Sequence, residues 1–114
     1  MSDKQVTVID LDNSGEYQSL LKPPKTCGMR SGRVFLKQGE QCGQHSTKDH
    51  EEILVFLQGS GIAIITDDSG DKEYEAGEGK VVYIPPHTLH NIKNIRNSPL
   101  AYIFCVAPAN DKQS

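Results

Sequence analysis

All four histidines of this chain lie in two short runs. His45 and His50 stand in GEQCGQHSTKDHEEILVFLQG (39–59), beside Glu52, and His87 and His90 stand in GKVVYIPPHTLHNIKN (79–94). Imidazole nitrogens and a carboxylate oxygen form a mixed donor set that suits Fe(II), Mn(II), Ni(II) or Zn(II). The same residue types also occur on ordinary solvated strands, so convergence in space is what has to be tested. The surrounding pattern favours it. Glu52, Leu54 and Phe56 alternate with Ile53, Val55 and Leu57, which places an acid at the rim of an otherwise apolar face. His50 lies two residues before Glu52, on the same face if the strand begins that early. A hairpin would bring His45 beside Glu52, and His90 follows the Pro85-Pro86 turn.

The elements that must position these groups read as short strands. RSGRVFLKQG (30–39), EEILVFLQ (51–58), IAIITD (62–67), KVVYI (80–84) and LAYIFCVA (100–107) are rich in β-branched and aromatic residues, with Gly, Pro, Asn and Asp turns between them. No segment carries a convincing 3.6-residue apolar period, so some eight strands and essentially no helix are expected. Such a pattern means an antiparallel sandwich or barrel. The chain divides into an N-terminal arm (1–28), with one strand over VTVIDL (6–11), a barrel (29–107) and a polar tail (108–114). At 114 residues it holds one domain and one core.

Composition excludes several classes. No apolar run approaches the ~18 residues of a spanning helix. The N-terminus shows no basic patch followed by an apolar stretch, so the cytoplasm is the expected compartment and a membrane is not an expected partner. With a net charge of −3 and scattered Lys and Arg, nucleic acid is a poor partner. Cys27, Cys42 and Cys105 are odd in number and lack CxxC spacing, which reads as reduced packing thiols. Strand alternation would turn Cys42 away from His45. Several strands are apolar on both faces, more than one small barrel covers, so a homodimer through sheet packing or arm exchange is expected.

The two histidine runs resemble the paired motifs of the cupin superfamily. The first family motif reads Gly, five residues, His-x-His, three or four residues, Glu, six residues, Gly; here it is Gly39, His45-Ser-Thr47, Glu52 and Gly59 at that spacing. The second reads Gly, five residues, Pro-x-Gly, two residues, His, three residues, Asn; here it is Gly79, Pro85-Pro-His87, His90 and Asn94. The resemblance implies a small single-domain cupin, an all-β antiparallel double-stranded β-helix or jelly-roll barrel. It makes His45, Glu52 and His90 ligands of a divalent transition metal. Two positions depart from it. Thr47 replaces the second motif histidine and is a poor ligand, so His50 is the expected substitute. His87 replaces a turn glycine and is expected at the rim, in a turn that His tolerates. Asn94 is expected to support a turn.

The lumen, lined by Leu54 and Phe56, is expected to take a small organic molecule. With a metal, the chemistry implied is that of a dioxygenase with Fe(II), or of an isomerase, lyase or hydrolase with Zn(II), Mn(II) or Ni(II). The alternative is a metal-free module that binds a sugar-like or aromatic ligand without turnover. A purely structural dimer with a vestigial cluster is the third reading.

Overall fold

The computed structural model describes residues 4–110, which form nine β-strands and no helix. They are β1 (Tyr17–Leu21), β2 (Arg30–Leu36), β3 (His45–Ser46), β4 (His50–Gln58), β5 (Ser60–Asp67), β6 (Gly70–Gly77), β7 (Val81–Ile84), β8 (Leu89–Lys93) and β9 (Leu100–Pro108). Two sheets result, in the orders β1-β2-β9-β4-β7 and β3-β8-β5-β6, and every named pair is antiparallel. This is the double-stranded β-helix that the strand pattern and the motifs predict. Among the described residues no helix is long and apolar enough to cross a membrane.

Period-two alternation decides which residues the sheets bury. On β4 the even positions Leu54 and Phe56 face inward; register pairs Leu54 with Phe104 and Phe56 with Tyr102 on β9. Leu36 and Ile84 join them from β2 and β7, and Ala63, Ala76 and Ile92 close the core from the second sheet. Small residues face large ones, so the layers interdigitate. Phe56 and Tyr102 pack with ring centroids 5.0 Å apart, and each fully buried apolar side chain of this size contributes roughly 1.5–3 kcal/mol.

The turn glycines keep the motif spacing. Gly59 has φ 83°, and a Cβ there would run into the Pro99 carbonyl, so no other residue fits the β4–β5 turn. Asn94 is buried and donates from Nδ2 to the Leu36 carbonyl (3.0 Å) and the Ser98 carbonyl (2.8 Å). It ties the β8–β9 connection to the end of β2, the turn support expected of it.

The arm differs from expectation. Residues 6–11 form no strand, and Val6 and Val8 are almost wholly exposed. The alternation of VTVIDL has no partner edge, because β1, further along, takes the place beside β2. The Gln18 side chain on β1 bonds the main chain of Asp10 and Asp12, and Arg33 Nη2 donates to the Gly15 carbonyl at 2.6 Å. The arm thereby covers the β1–β2 end of the outer face, where Arg33 is only 2% exposed. At the other end, β9 runs through Pro108, and the tail beyond 110 lies outside the described residues.

Candidate metal centre and lumen

Three side chains from three strands meet at one end of the barrel. The two-residue strand β3 pairs with β8 so that His45 stands directly opposite His90, and their rings lie 4.1 Å apart. Glu52 reaches the same point from β4 in the other sheet, with Oε1 2.9 Å from His90 Nε2. One ligand atom from each of the three lies within 4.8 Å of the others. Glu52 and His90 are buried while His45 is exposed, so the cluster opens toward solvent on the His45 side.

The imidazoles are oriented by the main chain. His45 Nδ1 is 2.9 Å from the Gly43 carbonyl, and His90 Nδ1 is 3.0 Å from the Thr88 carbonyl. An Nδ1–H donated to a carbonyl leaves Nε2 with its lone pair free, the tautomer a metal requires. Although His90 Nε2 is close to Glu52, their alignment is too poor for a hydrogen bond, so this buried nitrogen has no hydrogen-bond partner. A buried polar atom in that condition calls for an ion or a proton. Burial pulls the His90 pKa down, but the Glu52 carboxylate and the Thr88 carbonyl outweigh it, and the net shift is upward from 6.5.

The cluster forms one end of a cavity of about 210 Å³, whose wall is otherwise largely apolar. Leu54 lines it, as expected, together with Val34, Ile92, Tyr102, Phe104 and Val106. Phe56 does not line it; it sits one pair deeper, against Tyr102, and belongs to the core. The β9 residues are not among the lumen residues that the sequence suggests, though the alternation of Tyr102, Phe104 and Val106 in LAYIFCVA carries the signal.

Cys42 corrects the alternation argument. It lines the same cavity as His45, because Gly43 has φ 101° and residues 42–44 leave the extended path, so period two does not carry from 42 to 45. Its Sγ accepts the Ile92 N–H (3.3 Å) and lies 3.5 Å from Asn91 Oδ1. Burial pushes the thiol pKa up, the Glu52 charge adds to the rise, and the bonds from Ile92 and Tyr102 offset part of it. Burial and the neighbouring Cys42 thiol likewise raise the Tyr102 hydroxyl.

The structure does not bring His50 to the cluster. It begins β4 two residues before Glu52, a step of about 6.8 Å along the strand, and its Nδ1 lies 2.9 Å from Asp49 Oδ1. Thr47 is buried, donates from Oγ1 to the Pro85 carbonyl (2.7 Å) and accepts the Thr88 N–H (3.1 Å). It staples the β3–β4 loop to the β7–β8 turn that leads into His90. His87 takes φ 56° in that turn and donates its backbone N–H to the Lys48 carbonyl (2.8 Å), outside the cavity wall.

The sequence model of the Cupin domain family matches residues 32–106. This chain belongs to the cupin family. Among curated proteins, the uncharacterized protein MJ1618 of Methanocaldococcus jannaschii is 36% identical to this cupin over 64 residues, 56% of this chain and 48% of that protein. Glucose-6-phosphate isomerase of Pyrococcus furiosus is 33% identical over 67 residues, 58% of this chain and 35% of the enzyme. The cupin thus spans about half, or less, of the length of these relatives. Among solved structures, an RmlC-like cupin family protein with a double-stranded β-helix fold (mj0764), also from M. jannaschii, superposes with a TM-score of 0.73 over 94% of each chain at 22% identity. A predicted oxalate decarboxylase (tm1287) from Thermotoga maritima gives a TM-score of 0.63 over 69% of this chain and 65% of its own, at 23% identity. At these identities the likeness speaks for the fold.

Proposed function

We propose that this cupin holds a divalent transition metal on His45, Glu52 and His90 and uses it on a small organic molecule admitted to the cavity. The observation that carries this reading is the buried His90 Nε2, which lacks a hydrogen-bond partner while Nδ1 is fixed on Thr88 and a carboxylate stands 2.9 Å away. Two imidazoles and one carboxylate fit Fe(II), Mn(II), Ni(II) or Zn(II), and three protein ligands leave positions open. Such an ion, when bound, supplies Lewis acidity toward a carbonyl or carboxylate oxygen, or, as Fe(II), a site for O₂ chemistry. The residues of the chain orient that chemistry. The Gly43 and Thr88 carbonyls fix the tautomers, Glu52 balances charge, and the apolar wall excludes water from the inner side. A predicted oxalate decarboxylase and glucose-6-phosphate isomerase among the similar proteins make lyase and isomerase chemistry the classes to assay first. Metal analysis of protein purified without chelators, followed by assays of the loaded protein, tests this. A metal-free ligand-binding module is the second reading, favoured by Thr47 in the position of a motif histidine.

The outer face of the five-stranded sheet supports a homodimer. Ile53, Val55 and Leu57 on β4, Val81 and Tyr83 on β7, and Ile103 and Cys105 on β9 share that face, and Ile53, Leu57, Val81 and Tyr83 are 40–59% exposed. None is charged. Strands of this length at about 4.8 Å spacing give roughly 400 Å² of flat sheet. Side-chain relief brings this toward the ~600 Å² per partner at the lower end of stable interfaces. A second copy of the same face is the partner, since depletion of charge marks the centre of a self-complementary interface.

A further inference from the structure

We infer that the cavity selects a compact, predominantly apolar molecule of about the size of a single substituted ring, with one anionic or chelating oxygen group directed at His45, Glu52 and His90, and that it rejects sugar phosphates and other polyols. The oxygen-group part rests on the metal reading above; the apolar part rests on the wall alone.

Size comes first. An apolar cavity of about 150 Å³ takes a benzene molecule, and the space here is about 210 Å³. That accommodates a ring with a short arm and little more.

Charge comes second. A phosphate dianion is held in proteins by Arg, Lys or a helix N-terminus. Among the described residues no helix exists, and no Lys or Arg lines the cavity. The one charged side chain in the wall besides the histidines is Glu52, which repels an anion unless a metal stands between them.

Hydrogen bonding comes third. A polyol loses water from each hydroxyl on entry and needs partners inside. The wall has few to offer. Thr47 Oγ1 already donates to Pro85 and accepts from Thr88. Cys42 Sγ accepts the Ile92 N–H and lies 3.5 Å from Asn91 Oδ1, so the Tyr102 hydroxyl is a single polar group set against the several hydroxyls of a polyol. The rest of the inner wall is Val34, Leu54, Ile92, Phe104 and Val106, which gives a ring dispersion contacts and gives a hydroxyl nothing. Polar recognition is concentrated at the His45–Glu52–His90 end.

The test is a methyl NMR titration, following Leu54, Ile92 and Val106, on the metal-free and the Zn(II)-treated protein, with zinc uptake measured separately. The probes are benzyl alcohol, phenylacetate, glucose 6-phosphate and arabinitol. Benzyl alcohol is expected to shift the three methyl sets with or without metal, and phenylacetate to bind at least tenfold more tightly after zinc. Glucose 6-phosphate and arabinitol are expected to leave the methyls unmoved at the same concentrations. Val106→Phe and, separately, Ile92→Phe fill the cavity and are expected to weaken phenylacetate tenfold with zinc uptake unchanged. If zinc is not taken up, the titration is repeated with Mn(II), Ni(II) and anaerobic Fe(II); if none of them binds, the metal reading and the oxygen-group part fall together, and benzyl alcohol still decides the apolar part. Glucose 6-phosphate binding as tightly as phenylacetate, no methyl shift with any ring probe, or unchanged affinity in both filled variants overturns the inference.

Discussion

His45 and His90 are direct cross-strand partners between β3 and β8, each with Nδ1 on a carbonyl two residues earlier in the chain, just before its strand begins. The two imidazoles are thus presented by one repeated local device, and Glu52 completes the group from the opposite sheet. A site that bridges both layers couples what binds there to the packing of the whole barrel. Stability and ligand binding are therefore expected to move together.

The pH dependence has opposite signs with and without metal. The His90 pKa is raised above 6.5 in the folded protein, so the folded state holds that proton more tightly than the unfolded chain. Its contribution to stability is full below the unfolded value and is lost as pH rises through the folded one. Thermal melts of metal-free protein at rising pH are expected to show Tm falling across that window, and His90→Gln is expected to flatten the trend. Metal must displace the same proton, so affinity for Zn(II) is expected to rise with pH, up to tenfold per unit, until His90 is neutral. Calorimetry in two buffers of different ionisation enthalpy would show the proton released.

Thr47→Val keeps the shape of the side chain and removes its hydroxyl. The Pro85 carbonyl and the Thr88 N–H then lose partners at a buried position. A loss of about 1–3 kcal/mol is expected, seen as a Tm lower by several degrees. Metal affinity is expected to fall as well, because Thr88 orients His90. A variant as stable as the parent would remove Thr47 as the staple of this turn.

The outer sheet face is expected to bury itself in a dimer at micromolar concentration. Tyr83→Asp or Val81→Asp puts a charge into a face that has none at those positions, and light scattering is expected to show a monomer that still binds metal. A parent protein that is monomeric at 50 times that concentration contradicts the dimer.

Much of this architecture was legible in the residues. β4 and β9 carry long apolar runs, and Gly59 and Gly79 mark turns of positive φ where the motif spacing places them. β6 is not among the strands that the sequence suggests. It is an edge strand in which six of eight residues are exposed and four are charged, a composition that protects an edge but carries no apolar alternation. Within the site, the resemblance to the cupin motifs names His45, Glu52 and His90, and the fold brings these three together. His50 did not join them, because a shared strand face fixes direction but not distance. Cys42 escaped because a single left-handed glycine resets the alternation on which its placement depended.

The most direct test is metal stoichiometry across single variants. Protein purified without chelators, or reconstituted with Zn(II), Mn(II), Ni(II) or anaerobic Fe(II), is expected to bind one of these ions at one per chain by elemental analysis. His45→Ala, Glu52→Gln and His90→Ala are each expected to lower the affinity at least a hundredfold while circular dichroism shows a folded barrel, and His50→Ala is expected to leave it within twofold. Equal metal content in the parent and in all three cluster variants, or loss of metal in His50→Ala alone, would contradict the account.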